Sequence, residues 1–337
     1  MTNFKTKYLG LELKNPIIVG ACSLSTTIDN LKRIEDAGAA AIVYKSLFEE
    51  QINLESIQFE NELAEYTERN AEMISLFPDL VHAGPEEHLE FLRNAKKAVG
   101  IPVIASLNAT YQSVWIDYAK KAEQTGVDAL ELNFFAVPNH FGVEASEIEK
   151  EQIDIVSEIK KNVKIPVSVK LSPFYTNTLN VISKMDKAGV DGFVLFNRLF
   201  QPEIDADKIE HYTPINLSLE IDNRLPLRYA GLLYKEIKAN ICANTGIFSG
   251  KDVAKMILAG ADCTQVVSVL YKNGFGHIST MLKDLESFMM KNDFQNIEAF
   301  KGKLSKKNTK DVYVYKRAQY VDLLLDSDNI IKKYPVI

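Results

Sequence analysis

One pattern constrains this chain more than any other. A helical stretch ends on a glycine, an aspartate follows two residues later, and a short apolar run begins at once. The unit reads Ala188-Gly189-Val190-Asp191 before residues 193–196, Thr125-Gly126-Val127-Asp128 before 129–132, and Ala259-Gly260-Ala261-Asp262 before 264–267. An earlier version closes on Asp36-Ala37-Gly38. Its helical pattern begins at Thr27, carries Ile28, Leu31 and Ile34 at helical spacing, and is followed by the run 39–44. Glycine ends a helix in a left-handed conformation without a Cβ penalty. An apolar run too short for a helix reads as a buried strand.

Four further runs complete the set. Residues 16–21 form the first, Ile101-Pro102 and Ile165-Pro166 open two more, and residues 239–243 supply the last. Proline is tolerated where a strand begins. Eight strand–helix units in roughly 270 residues predict a (β/α)8 TIM barrel. An open doubly wound sheet is the alternative, but no G-x-G-x-x-G follows the first strand. Residues 7–14 alternate around Gly10 and predict a small hairpin ahead of the barrel. Long segments at 48–85 and 199–227 follow the second and sixth strands, where barrel loops shape a site. The expected division is a barrel over 1–304 and an extension over 305–337 that packs on the barrel or on a second copy.

Bulk composition narrows the function. Of 337 residues, 46% are hydrophobic and 25% charged, which is ordinary for a globular chain. A net charge of −6 with no long basic run argues against nucleic-acid binding. Cys22, Cys242 and Cys263 are too few and too widely spaced for a disulfide framework, a zinc knuckle or an iron–sulfur cluster. No secretory leader and no membrane-length apolar run stand out, so a cytoplasmic protein is expected.

The chemistry should lie where strands end. Lys45 with Ser46, Asn133, Lys170 and Asn197 each close an apolar run. Two lysines in a barrel mouth suit an anionic or electron-rich ligand. A flavin ring, a Schiff-base carbonyl or plain solvation of a buried stem are all readings of such a lysine. Asparagine amides both donate and accept, so they suit a planar imide or a carboxylate, although each alone is commonly a turn or cap residue. Thr245-Gly246 after the seventh strand and Val267-Ser268 after the eighth stand where barrels hold a phosphate. Cys22 stands near the end of the first strand, and His140 lies in a loop after Asn133.

Taken together these residues resemble the dihydroorotate dehydrogenase family, the FMN barrels of pyrimidine synthesis. The resemblance runs from N-P-I-I at Asn15 through K-S at Lys45, E-L-N at Glu131, V-K-L-S-P at Val169 and F-N at Phe196, to T-G-I and A-G-A-D-x-x-Q-V. It implies that Ala21, Cys22, Lys45, Ser46, Asn133, Lys170 and Asn197 contact FMN, and that Thr245, Gly246, Val267 and Ser268 hold its phosphate. It also implies that Asn133, Asn139 and Asn197 grip the substrate. A divergent dihydroorotate dehydrogenase-like branch shares Asn197-Arg198, the insertion after it and L-P-L-R at 225–228. Arg198 and Arg228 then suggest an acidic substrate.

The departures are specific. The family places a cysteine or serine general base after E-L-N, and here Ala136 stands there, with one extra residue before Pro138. Alanine cannot take a proton, so His140 becomes the substitute acid/base. The family's asparagine-rich loop is absent, its region reading M-I-S-L-F-P over 73–78, and Thr245 and Val267 replace glycines. The expectation is an FMN oxidoreductase acting on the CH–CH group of a small anionic substrate, with an electron acceptor left unnamed and a homodimer possible. An FMN-binding carrier or partner subunit without that activity, and a phosphate-binding lyase using Lys170, are the alternatives.

Overall fold

The chain opens with an antiparallel hairpin of β1 (Thr6–Tyr8) and β2 (Leu11–Leu13), paired Thr6↔Leu13. Its turn, Leu9-Gly10, has φ of 55° and 75°, the mirror-image turn that suits twisted strands. The structure is a computed structural model, and it describes residues 2–48, 85–108, 112–134, 141–198, 202–212, 214–310, 312–316, 321, 324, 325 and 332. Ala136, Asn139, His140 and most of the 48–85 segment lie outside the described residues.

After the hairpin come β3 (Ile17–Val19), β4 (Ala41–Val43), the short β5 (Leu47–Phe48), β6 (Val103–Asn108), β7 (Ala129–Asn133), β8 (Val167–Leu171) and β9 (Gly192–Leu195). An excursion of β10 (Glu203–Asp205) and β11 (Glu210–Tyr212) precedes β12 (Asn240–Asn244) and β13 (Cys263–Val266). The sheet order β4-β3-β13-β12-β9-β8-β7-β6 is parallel throughout, and β4 also pairs with β6 (Ile42↔Val103), so the sheet closes. This is the (β/α)8 barrel that the repeated unit predicted. Its strands are buried on both faces, as β8 shows with all five residues inside, and so they read as apolar runs without alternation.

The repeated glycine and aspartate now have separate reasons. Gly38, Gly126, Gly189 and Gly260 have φ of 105°, 85°, 94° and 130°, a region that side chains avoid. In the three units where an aspartate follows the glycine, it caps the N-terminal end of a neighbouring strand. Asp128 accepts from the Val103 N–H at 2.7 Å, Asp191 from Val167 at 2.8 Å and Asp262 from Ile241 at 2.7 Å. Lys96, Lys160 and Lys301 pair with the same three carboxylates. Backbone donors at that end of a barrel strand otherwise need water or a loop.

Helices cover the outside. In helix Ile28–Asp36 the Thr27 hydroxyl accepts from the Asn30 N–H, while Leu31 and Ile34 face the core. Ile28 does not; it is 39% exposed, because it stands in the first turn, away from the buried stripe. Inside the barrel, Tyr8, Leu9 and Leu13 of the hairpin pack against Val43, Ile104, Ala129, Val194, Cys242 and Cys263. The hairpin thereby stoppers the N-terminal end of the barrel, leaving the C-terminal end as the mouth. Beyond the barrel, the Tyr315 ring lies over Gly231, its hydroxyl donates to the Leu304 carbonyl at 2.7 Å, and Arg228 donates to the Tyr315 carbonyl.

Candidate functional site

Three barrel strands aim polar side chains at one point below the mouth. Glu131 sits on β7, Lys170 on β8 and Gln265 on β13. All are buried, at 1%, 6% and 1% exposure. Lys170 Nζ lies 3.4 Å from Gln265 Oε1 and 3.7 Å from Glu131 Oε1. Gln265 turns its other face to Glu131, donating from Nε2 to Oε2 at 2.5 Å. A charged pair in an apolar barrel needs its partners close, since each charge removed from water is costly.

Above this trio stands an amide pair. The register sets Asn133 beside Lys170, and Asn197 Nδ2 donates to Asn133 Oδ1 at 2.8 Å. Among the described residues, that bond leaves the Asn133 amide hydrogens and the Asn197 carbonyl oxygen without a side-chain partner, one donor set and one acceptor. Ser46 and Ser106 share a buried hydroxyl contact of 2.8 Å next to Lys45. The partly buried Ala21 packs against the barrel interior. Burial pushes the Cys22 thiol up, outweighing the N–H groups of Leu24 and Ser25, the Lys170 charge and the Ser25 hydroxyl, which pull the other way.

The second lysine acts on a group that the sequence left unmarked. His88, buried on helix Pro85–Ala98, packs edge-on against Tyr44 with ring centroids 5.4 Å apart. Its Nε2 has no hydrogen-bond partner among the described residues. Burial, aided by the charge of Lys45, lowers its pKa to about 4, so the ring is neutral at pH 7.

Across the mouth the donors are of another kind. Thr245 and Gly246 have φ of 78° and 74°. The Thr245 hydroxyl and the Asn244 amide both donate to the Phe196 carbonyl, at 3.1 and 3.0 Å. The Gly246 N–H reaches Ser218 Oγ at 3.3 Å, the Ser218 N–H donates to Ser268 Oγ at 2.9 Å, and Lys272 Nζ reaches the Ser218 carbonyl at 3.2 Å. Ser218 thus sits between the two loops expected to hold a phosphate. Val267 points its side chain at Gly20, where a Cβ would come within 2.9 Å of Cγ2.

Arg198 faces the insertion. It donates from Nε and Nη2 to the Asn216 carbonyl and side chain, both at 2.7 Å, and from Nη1 to Asp222 at 2.6 Å. Glu131 and Gln265 lie inside the E-L-N and A-G-A-D-x-x-Q-V motifs, yet neither has a role that the sequence alone assigns. The available signal was a charged and an amide side chain inside runs that should bury every position. Ser106, Ser218 and Lys272 carried no such signal.

The sequence profile described as Dihydroorotate dehydrogenase matches residues 3–289. The chain is 31% identical to the dihydroorotate dehydrogenase B (NAD(+)) catalytic subunit of Thermoplasma volcanium, over 90% of this chain and 98% of that one. It is 27% identical to the protein of the same name from Methanocaldococcus jannaschii, over 85% and 93%. It is 26% identical to the chloroplastic dihydropyrimidine dehydrogenase (NADP(+)) of Arabidopsis thaliana, over 87% and 75%. With a profile spanning the whole barrel and a relative that aligns almost end to end, the chain belongs to the dihydroorotate dehydrogenase family, as a flavin-dependent oxidoreductase of that type.

Proposed function

We propose that the chain binds FMN in the barrel mouth and moves a hydride between that flavin and the CH–CH group of a small anionic substrate, with dihydroorotate as the first compound to test. The observation that carries this reading is Lys170, fixed at 6% exposure beneath the Asn133–Asn197 amide pair. An ammonium there meets the electron-rich edge of a flavin ring, and paired amides suit a planar imide or carboxylate.

The donor set also suits the other end of FMN. The Gly246 N–H, the Ser268 hydroxyl and the Lys272 ammonium all gather at Ser218, and a phosphate monoester would draw on the same donors, the Gly246 N–H, the hydroxyls and the ammonium. When bound, FMN supplies the acceptor for a hydride. The chain's own residues do the rest. Lys170 and Lys45 hold the ring edge, while Ala21, Cys22 and Ser46 line it. Asn133 and Asn197 hold the substrate together with Asn139. Arg198 shapes the pocket by anchoring the insertion at Asn216 and Asp222. His140 takes the proton that Ala136 cannot.

The relatives named as catalytic subunits fit a chain that passes electrons to another protein, and that acceptor is unassigned. The ion pair of Lys170 with Glu131 speaks against a Schiff-base lyase, which needs an uncharged amine. No helix among the described residues is long and apolar enough to cross a membrane.

An anaerobic visible spectrum tests the reading, recorded before and after dihydroorotate is added. Bleaching of a bound flavin is expected, and His140→Ala should slow it. A chain that takes up no FMN would end this reading. A flavin that stays oxidised would leave the cofactor and remove the substrate, and turnover unchanged in His140→Ala would remove His140 as the base.

A further inference from the structure

We infer that Glu131 and Gln265 are positioning residues for Lys170, holding its ammonium below the mouth and setting how much of its charge a bound ligand meets. The inference rests on the flavin reading for its consequence, but the positioning itself concerns only these three side chains.

The geometry has a direction. Glu131 is almost fully enclosed, and one of its oxygens takes the Gln265 amide. The other, Oε1, has no hydrogen-bond partner among the described residues and faces Lys170 Nζ at 3.7 Å, longer than a hydrogen bond. Gln265 is oriented by its bond to Glu131, so its carbonyl oxygen must point to Lys170. The amide therefore passes the carboxylate's influence to the lysine and fixes where Nζ rests. Its own seat is shaped by Gly20, where a Cβ would stand 3.1 Å from Gln265 Oε1.

Charge follows from the same contacts. Lys170 and Glu131 sum to zero, so the floor of the mouth is neutral although a lysine occupies it. A ligand that gathers negative charge competes with Glu131 for the ammonium. The carboxylate is a counterweight: without it, the pair's net charge rises from zero to that of Lys170.

Two measurements test this. The first uses the chain without flavin: carbamylation of Lys170 by cyanate, resolved by mass spectrometry, with exposed Lys14 as the internal reference. An amine released from its carboxylate should react about ten-fold faster in Glu131→Gln. Gln265→Leu, which keeps both charges, should show a smaller rise in the same direction and guards against a fold lost in the first variant. Equal Lys170 rates in the folded variants and the wild type would overturn the inference.

The second uses the FMN-loaded chain and its affinity for sulfite, an anion whose addition leaves negative charge on the flavin. Glu131→Gln should bind sulfite about ten-fold more tightly. In the Lys170→Met background the effect of Glu131→Gln should be smaller, because part of it runs through the lysine. An undiminished effect of Glu131→Gln in the Lys170→Met background would overturn it. If the chain takes up no FMN, the proposed function fails, while faster carbamylation in the variants still supports the positioning.

Discussion

The two sides of the barrel mouth are built from different material. On the side of β7, β8 and β9, with Gln265 reaching in from β13, the site consists of side chains: Lys170 over Glu131 and Gln265, and Asn197 on Asn133. On the side of β12 and β13 it depends on backbone path: the left-handed Gly246, its N–H on Ser218 Oγ, and the Ser218 N–H on Ser268 Oγ. The first kind of site is specified by which residues stand at a few positions. The second is specified by the path of two loops and an insertion that closes on them. Side-chain sites tolerate changes of path and fail on a change of residue; backbone sites do the reverse.

The sharpest way to break this contrast is Lys170→Met. It leaves Glu131 buried without its counter-charge, and opening a buried pair from one side costs about 3–5 kcal/mol. Denaturant unfolding should show that loss, and Glu131→Gln in the same chain should restore much of it. A Lys170→Met protein as stable as the wild type would mean that the lysine is not held from below.

The next effect is a pH dependence on the Lys45 side. His88 is held neutral, at about 4 against an ordinary 6.5, so the folded chain binds fewer protons than the unfolded one in that window. Stability is full above pH 6.5 and should fall by about 3 kcal/mol as pH drops towards 4. Urea titrations at both ends of the window, compared with His88→Leu, isolate this part, since leucine has no proton to gain. A difference between the two proteins that does not vary with pH would show that the imidazole is reached by solvent.

On the backbone side, Gly246→Ala is the matching test. A Cβ there would stand 2.4 Å from the Asn223 nitrogen and 2.9 Å from the Leu219 carbonyl oxygen, at φ of 74°. Left-handed strain alone costs roughly 1–3 kcal/mol, and the neighbours are backbone that cannot swing aside. Thermal unfolding should register it, and FMN uptake should weaken more than it does in Asn133→Ala. The reverse order of uptake would invert the contrast between the two sides.

The smallest effect concerns Asp252, which closes the capping box with Ser249 at the helix Gly250–Ala259. Burial raises its carboxyl, but hydrogen bonds from Lys255, Ser249 and the Phe248 N–H outweigh that and lower it overall. Its stabilisation is therefore present above the ordinary carboxylate range and lost as pH falls through the lowered value. Asp252→Asn should cost about 1 kcal/mol at pH 7, with the gap closing in acid. Equal unfolding midpoints at pH 7 would show the box to be incidental.

Much of the barrel was legible because its rules are local. The glycine after each helix, the short apolar run and the hairpin at Gly10 depend on neighbours a few residues away, and the structure repeats them nearly residue for residue. The strand-end positions of Lys45, Asn133, Lys170 and Asn197 were legible for the same reason: in a barrel, the end of an apolar run points to the mouth. The exposed Ile28 shows the limit even there. Helical spacing marks a stripe but not the turn at which a helix leaves the core.

What the sequence by itself determined is the repeat and the residue types at each strand end, since chain-local sterics and burial dictate both. Only the tertiary structure decided which of those residues meet. Glu131, Lys170 and Gln265 come from three strands, and Gln265 lies 134 positions from Glu131 along the chain; closure of the barrel brings them together. The aspartate of each repeat caps a strand that is not its own. Ser218 reaches Gly246 and Ser268 because an insertion folds back across the mouth. Contacts of that kind depend on distances in space between residues remote in the chain, and no local pattern encodes them.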